Sequence, residues 1–149
     1  MIIINKRNLF FLISVWLLST LLSAQNVTIS TPHTQLLLSV PNGGTPEQLY
    51  YGSRTSDADI RSICETARRR NAYPVYGMGY PCETALSVRH ADGNLTLQMA
   101  VIGVKETRLT KENATLTVIE LKDKVYPFFV NICYKAWQDA DVIETWTEI

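Results

Sequence analysis

Short runs in which apolar and polar residues alternate recur through residues 25–149, and they limit the possible folds more than any other feature. Alternation with a period of two residues is typical of a β-strand that buries one face. The clearest run places four apolar residues on one side: Leu95, Leu97, Met99 and Val101. Sequences rich in glycine, asparagine or aspartate separate the runs, as turns do between hairpin strands. The pattern predicts about eight or nine antiparallel strands in an all-β sandwich.

One stretch departs from this pattern. Ser56 and Asp57 are good helix-capping residues, and the apolar residues that follow are spaced by three and four, which predicts a short helix near 57–69. The next segment, Y-P-V-Y-G-M-G-Y-P at residues 73–81, contains too much proline and glycine for regular structure. We expect it to form a stiff aromatic loop.

The β pattern resumes after this loop and continues to Ile149. Residues 86–91 are predicted as a strand that leads into the turn sequence A-D-G-N at 91–94. Gly103 is expected to mark a β-bulge, because glycine inside a strand pattern is typical of one. The final run, V-I-E-T-W-T-E-I at 142–149, is predicted as a strand.

The first 24 residues have the features of a secretion signal. Lys6 and Arg7 precede an apolar run of about 14 residues, and the small residues Ser23 and Ala24 follow it. The run is shorter than the roughly 20 residues that a membrane-spanning helix needs. We therefore expect a signal helix at 1–24, cleavage after Ala24, a mature sandwich domain at 25–149 and a periplasmic or extracellular location. An uncleaved membrane anchor is the alternative.

The composition excludes two broad classes of protein. Hydrophobic residues make up 46% of the chain and charged residues 19%, which is too apolar for intrinsic disorder. Lys and Arg number 14, as do Asp and Glu, so no net positive charge is available to drive binding to nucleic acid. The length suits one domain. We expect neither a nucleic-acid partner nor, after signal cleavage, a membrane partner.

The cysteines and histidines predict no metal site. The three cysteines are Cys64, Cys82 and Cys133, and none forms a C-x-x-C motif or a ligand-like spacing with His33 or His90. Export permits disulfides, so a Cys64–Cys82 bridge across the irregular segment is one possibility. Cys133 lies in an apolar run and is expected to be a small buried residue.

The sequence also contains no recognisable catalytic motif. It has no G-x-S-x-G, no phosphate-binding glycine pattern and no calcium-loop spacing. The best candidate for a binding site is the aromatic loop, whose Tyr73, Tyr76 and Tyr80 could stack on sugar rings. The alternative is that these side chains pin an irregular loop to a neighbouring surface.

Several segments, taken in order, resemble one family. The run of segments is similar to the N-terminal domain of the alpha-galactosidases of glycoside hydrolase family 36. The resemblance covers nearly all of residues 25–149 and is carried by Y-P-V-Y-G-M-G (73–79), E-T-A-L-S-V-R-H-A-D-G-N (83–94), K-D-K-V-Y-P-F-F-V-N-I-C-Y-K-A-W (122–137) and D-A-D-V-I-E-T-W-T-E-I (139–149). The signal sequence resembles that of exported Gram-negative carbohydrate enzymes.

The resemblance implies a supersandwich-like β domain that packs on a (β/α)8 barrel. In this family the barrel carries both catalytic aspartates, in motifs like K-x-D-x-N and C-S-G-G-G-G-R-x-D, and neither motif occurs in these 149 residues. The enzymes are retaining hydrolases of terminal alpha-galactosides that need no cofactor. The resemblance therefore implies no catalytic residue in this chain, no activity of the chain alone, and the barrel of the parent enzyme as its partner.

The resemblance also bears on the aromatic loop. Many family members read G-x-G-D-x-R where this chain has Gly77-Met78-Gly79-Tyr80-Pro81-Cys82. The resemblance implies that this loop faces the mouth of the barrel, or that of a neighbouring subunit's barrel. Tyr80 replaces the aspartate and Cys82 the arginine, so the resemblance does not carry the family's polar sugar contacts over to those two positions. The hypothesis for Tyr80 is instead that its aromatic ring forms a wall of the site.

Other functions remain open at this stage. A stand-alone secreted carbohydrate-binding sandwich is the main alternative, and a scaffolding sandwich without a ligand is another. A homo-oligomer is compatible with either. If the barrel is the true partner, we expect exposed apolar side chains near the aromatic loop or the final strand.

Overall fold

The computed structural model describes residues 25–149, and these form two antiparallel sheets and one α-helix. The all-β sandwich predicted from the sequence is thereby confirmed, with eight strands. In chain order, the elements are β1 (Gln25–Ser30), β2 (Thr34–Val40), β3 (Glu47–Ser53), α1 (Asp57–Thr66), β4 (Arg70–Asn71), β5 (Met99–Leu109), a 3-10 turn (Thr110–Glu112), β6 (Ala114–Asp123), β7 (Phe129–Trp137) and β8 (Val142–Glu148).

Each sheet is a meander of four strands in sequence order. The first sheet has the order β1-β2-β3-β4, and the second has the order β5-β6-β7-β8. The second sheet is the more extensive, because β5 and β6 pair along ten positions while β4 pairs with β3 at only two. Gly103 follows a register shift in the pairing of β5 with β6, so the predicted bulge is present.

The core lies between the two sheets and contains the alternate residues of each strand. In β6 and β7, for example, Ile119 faces Ile132 across the pairing, and both are almost completely buried. The same alternation brings Leu36 and Leu38 of β2 into this core. Period-two patterning therefore built the sandwich as expected.

The outer face of the first sheet is also covered, which the alternation alone does not predict. Gln35, Leu37 and Ser39, on the outward side of β2, are as buried as the core residues. The Gln35 side chain accepts hydrogen bonds from the Thr55 backbone and hydroxyl at 2.9 and 3.0 Å. Because the segments that flank α1 lie on this side, β2 is buried on both faces, and its outward polar residues Gln35 and Ser39 have hydrogen-bond partners there.

The two sheets are joined by contacts that are distant in sequence. The turn after β2 exchanges two backbone hydrogen bonds with β5, from Gly43 N to Val101 O at 2.9 Å and from Val101 N to Gly44 O at 2.8 Å. At the other end, the Asp141 carboxylate accepts from the Thr31 hydroxyl and from the Thr34 backbone. The Thr31 hydroxyl in particular lowers the pKa of this carboxyl.

Two predictions about secondary structure need correction. Residues 86–91 form no strand; Leu86 makes only an isolated bridge with Val75, and the segment runs as an irregular cover over the core. The helix is present, but α1 ends at Thr66 rather than near residue 69, because Ala67 already has extended backbone angles. Its beginning is as expected, with the Ser56 side chain accepting from the Asp59 backbone. The predicted signal helix lies outside the described residues.

Among residues 25–149, no helix combines the length and the apolar character that crossing a membrane requires.

Candidate functional site

A groove of about 490 Å³ opens between the two sheets. Its lining comes from β2 and β3 on one side, from β7 and β8 on the other, and from the start of the aromatic loop. The lining side chains are mainly apolar and aromatic, among them Leu36, Tyr51, Tyr73, Tyr134 and Ile143. A groove of this volume and character falls in the range of ligand or peptide pockets.

Tyr73 and Tyr134 place two hydroxyl groups beside this apolar groove. Tyr73 is 6% exposed, and its hydroxyl lies 3.1 Å from the Thr147 hydroxyl on β8. Burial raises the pKa of Tyr134 to about 12, and the neighbouring Tyr73 adds to the rise. The Tyr134 phenol is therefore neutral at ordinary pH and is not tuned to act as an acid or a base in catalysis.

The three tyrosines singled out from the sequence do not form one site. Tyr73 is buried and belongs to the core, while Tyr76 and Tyr80 are 47% and 42% exposed. Tyr80 lines a different depression, together with a run of arginines at 68–70. Tyr73 therefore matches the alternative interpretation, in which a tyrosine anchors the irregular loop to a neighbouring surface. Sugar contact by Tyr76 or Tyr80 stays a prediction.

The aromatic loop is held in place by backbone hydrogen bonds rather than by regular structure. Tyr76 donates to the Leu86 carbonyl at 3.1 Å and accepts from Leu97 N at 3.0 Å. Two glycines of this loop, Gly77 and Gly79, have positive φ angles of 92° and 73°. Other residues adopt such angles only with strain, so glycine at these two positions allows the loop to take this conformation without strain.

Gly77 and Gly79 offer a matched pair of substitutions. A Cβ at Gly77 would lie 2.6 Å from the Thr96 side chain and 2.9 Å from its Cα, whereas a Cβ at Gly79 would meet nothing within 4 Å. We expect Gly79→Ala to cost about 1–2 kcal/mol from backbone strain alone, and Gly77→Ala to cost clearly more. Urea unfolding of both variants checks this, and equal losses would contradict it.

The cysteines are unbonded throughout the described residues. Cys64 is half-buried on α1 and Cys82 is exposed in the loop, so the disulfide that the sequence permitted between them is not formed. Cys133 is 1% exposed, as expected of a small buried residue, and burial raises the pKa of its thiol. The Cys133 thiol is therefore not set up as a nucleophile.

A polar and aromatic cluster that sequence reasoning missed lies beside the turn at 91–94. The rings of His90 and Tyr126 stack with centroids 3.6 Å apart, and the Tyr126 hydroxyl donates to Asp92 at 2.7 Å. That donation lowers the pKa of the Asp92 carboxyl and raises the pKa of Tyr126. Asn94 also donates to this hydroxyl, at 2.9 Å. The alternating pattern gave no signal for the cluster, because its members come from two separate turns.

The side chains of the described residues do not assemble a catalytic centre of a known type. Among residues 25–149, no three His, Cys, Asp or Glu side chains are close enough to hold a metal ion. The groove between the sheets is lined by no Asp or Glu in this part of the chain, so a carboxylate pair for glycoside hydrolysis has no place in it.

Apolar side chains are exposed at both places where the sequence predicted them. Near the aromatic loop, Tyr76, Met78 and Tyr80 are 42–47% exposed, and on the last strand Val142 and Ile149 are 50% and 78% exposed. In addition, β8 is an edge strand, so the backbone groups on its free side have no sheet partner among the described residues. The unpaired N–H and C=O groups of such an edge can pair with another polypeptide.

Comparisons with solved structures show the same fold in known enzymes. The alpha-galactosidase from Lactobacillus brevis aligns with a TM-score of 0.69 at 17% identity, over 83% of this chain and 21% of that one. The family 36 alpha-galactosidase AgaA from Geobacillus stearothermophilus aligns with a TM-score of 0.67 at 14% identity, over the same shares. The galactosidase domain of AgaSK, an alpha-galactosidase-sucrose kinase, gives 0.64 at 21% identity, over 80% and 21%.

These alignments establish the fold, and they also show that the chain spans about a fifth of the length of the solved structures it matches. No curated protein matches the chain. The model of one protein family matches residues 44–149, which is more than half of the chain, and its description is the glycosyl hydrolase family 36 N-terminal domain. The match includes the aromatic loop, the whole second sheet, and strands β3 and β4 of the first sheet. The chain therefore belongs to the family of glycosyl hydrolase family 36 N-terminal domains.

Proposed function

We propose that this chain is the N-terminal sandwich of an exported alpha-galactosidase and that it packs on and supports a catalytic (β/α)8 barrel. The observation that carries the proposal is the family match over residues 44–149, together with the alignment to one fifth of each alpha-galactosidase structure. The barrel would supply both catalytic aspartates, whereas the sandwich would shape and stabilise the surface beside it.

The surface of the sandwich supports a docking role. The groove between the sheets has mostly apolar walls, and it opens next to β8, whose outer edge is unpaired in the described part of the chain. Trp146 and Thr147 of β8 line the groove, and Ile149 follows at 78% exposure. A polypeptide that covered this side would bury apolar surface and satisfy backbone groups together, and both effects stabilise a domain interface.

The proposal is tested by comparing the galactosidase activity of the 149-residue chain with that of the protein encoded by a longer reading frame. We expect the genomic frame that continues beyond Ile149 to encode a barrel and the expressed protein to hydrolyse an aryl alpha-galactoside. The 149-residue chain alone should release no product above the buffer blank. Binding of a hydrophobic dye gives a second measure, since the chain alone should bind more dye than the longer protein.

Three outcomes would overturn the proposal. The first is a continuing frame without a barrel, and the second is a barrel-containing protein that hydrolyses no galactoside. The third is hydrolysis by the 149-residue chain itself, because the proposal assigns it no catalytic group. Fractionation of the cells that express the protein tests its export. Recovery of the protein in the cytoplasmic fraction would contradict the secretion signal proposed for residues 1–24.

A second candidate, a stand-alone carbohydrate-binding sandwich, is favoured by the aromatic residues at the groove. Tyr51 is 63% exposed and lines the groove together with Trp146. Titration of the purified chain with neutral galactosides separates the two functions. Saturable quenching of tryptophan fluorescence, lost in Tyr51→Ala, would support a binding module, whereas the enzyme-domain proposal expects no saturable quenching by the chain alone.

A further inference from the structure

Three successive arginines lie where α1 returns to the first sheet, and the fold separates their roles. Arg69 turns toward the sheet, where its guanidinium donates to the Ser39 hydroxyl at 3.1 Å and forms an ion pair with Glu47 at 2.9 Å. Arg68 and Arg70 form no ion pair or side-chain hydrogen bond within residues 25–149, and both are exposed. Two positive charges are therefore left unneutralised at one place on the surface.

These two arginines are shared by two adjoining depressions, which we call the arginine pocket. The first depression has a volume of about 470 Å³ and is completed by Asn71 and Tyr80. The second has a volume of about 390 Å³ and is bounded by β3, whose Tyr50 and Tyr51 line it. Both volumes lie in the range of small-molecule sites.

The polar groups of the arginine pocket are suited to donate hydrogen bonds. The Asn71 side-chain oxygen already accepts from Tyr73 N at 2.9 Å, which leaves its amide nitrogen as the group available to a ligand. The Tyr80 hydroxyl has no partner in the described residues, and Gln48 adds a second amide. No carboxylate lines either depression in the part of the chain that the structure describes. Donors and positive charge without an acid are the chemistry of an oxyanion site.

We infer that the arginine pocket binds an oxyanion carried on a sugar ring, such as the carboxylate of a uronate or a sulfate ester. The guanidinium groups of Arg68 and Arg70 would hold the anion, and the rings of Tyr80 and Tyr51 would contact the apolar face of the sugar. The sugar part of this inference rests on the proposed carbohydrate function. The anion part rests only on the pocket and its charge.

Calorimetric titration of the purified chain with four probes tests the inference. The probes are a galacturonate disaccharide, a galactose disaccharide carrying a sulfate ester, the neutral galactose disaccharide and inorganic sulfate. We expect each of the two acidic disaccharides to bind at least tenfold more tightly than the neutral one, and the difference to shrink as NaCl is raised from 50 to 200 mM, because salt screens exposed charges. Inorganic sulfate should bind more weakly than the sulfated sugar, since it has no ring to contact the tyrosines.

A charge-matched control separates a site from general electrostatics. The double variant Arg68→Gln/Arg70→Gln should lose at least tenfold in affinity for the acidic disaccharides. The control Lys111→Gln/Lys124→Gln removes the same charge from exposed residues outside the pocket and should change it less than twofold. Tyr80→Leu should weaken binding of the disaccharides but not of inorganic sulfate.

Three results would overturn the inference: equal affinity for the acidic and neutral disaccharides, no binding of any probe, or equal losses in the two double variants. Circular dichroism of each variant should match that of the parent chain, and a variant that fails this comparison is replaced by the corresponding single substitution. Binding is measured on the chain alone and galactosidase activity on the longer protein. The inference and the proposed function can therefore fail separately.

Discussion

Replacing Ile119 by alanine should lower the free energy of unfolding by about 2–5 kcal/mol. Ile119 lies at the centre of β6, is 0% exposed and pairs with Ile132 in the middle of the second sheet. Truncation removes buried apolar surface and leaves a cavity, because strands fixed on both sides allow little collapse. Urea unfolding followed by circular dichroism measures the loss.

The control is the same isoleucine-to-alanine change at an exposed position, Ile102. It sits at the bulge in β5 and is 53% exposed, so Ile102→Ala should change the unfolding free energy by less than about 0.5 kcal/mol. Similar losses from the two variants would show that the sheets do not pack as described. The measurement also tests whether the second sheet unfolds together with the first, since loss of cooperativity would appear as two transitions.

Replacing Asp123 by alanine should destabilise the protein by about 3 kcal/mol at neutral pH, because buried donors would lose their acceptor. The carboxylate is 1% exposed and accepts from the backbone nitrogens of Gln98, Val125 and Tyr126 at 2.7–2.9 Å. Those hydrogen bonds fix the turn after β6 and the residue that immediately precedes β5. The exposed Asp57 gives the control, since Asp57→Ala loses only a helix N-terminal charge, worth about 0.3–1 kcal/mol.

The stabilisation by Asp123 should depend on pH in a defined direction. Burial by itself raises the pKa of this carboxyl, but the backbone donors of Tyr126, Gln98 and Val125 outweigh it and hold the pKa below its usual value. A depressed pKa means that the contribution is complete above the unfolded-state value near 3.9 and is lost as the pH falls through the folded-state value. The difference in stability between the parent chain and Asp123→Ala should therefore narrow below about pH 4. A difference that stays constant down to pH 2 would contradict this.

Much of the sandwich could be predicted because its strands carry the two signals that sequence reasoning reads well. Alternation identified strands such as β6, and capping by Ser56 identified the start of α1. The strand predicted at 86–91 was wrong for a physical reason. Its apolar residues, Leu86 and Val88, do pack against the core, but as an irregular cover whose backbone bonds go to the aromatic loop. Burial alone gives a strand-like pattern without a sheet.

The candidate site was harder to predict, because it depends on residues that the fold brings together from distant segments. The sequence marked Tyr73, Tyr76 and Tyr80 as one aromatic group, yet Tyr73 is buried in the core while Tyr76 and Tyr80 are exposed. The positive-φ residues Gly77 and Gly79 also turn the backbone between Tyr76 and Tyr80. The groove brings β2 and β3 against β7 and β8, whose segments are about a hundred residues apart. No local pattern encodes such a pairing.

The meander order of the two sheets has a consequence for how the protein folds. Every strand pairs only with its neighbours in the chain, so residues 25–71 and residues 99–148 can each form a sheet from contacts that are close in sequence. Folding rates rise as contacts become more local, which favours early formation of each hairpin array. The bonds between Gly43 and Val101 and those of Asp141 with Thr31 close long loops and would form last. Docking of two preformed halves is thus the expected slow step, and a substitution at Asp141 should speed unfolding more than it slows folding.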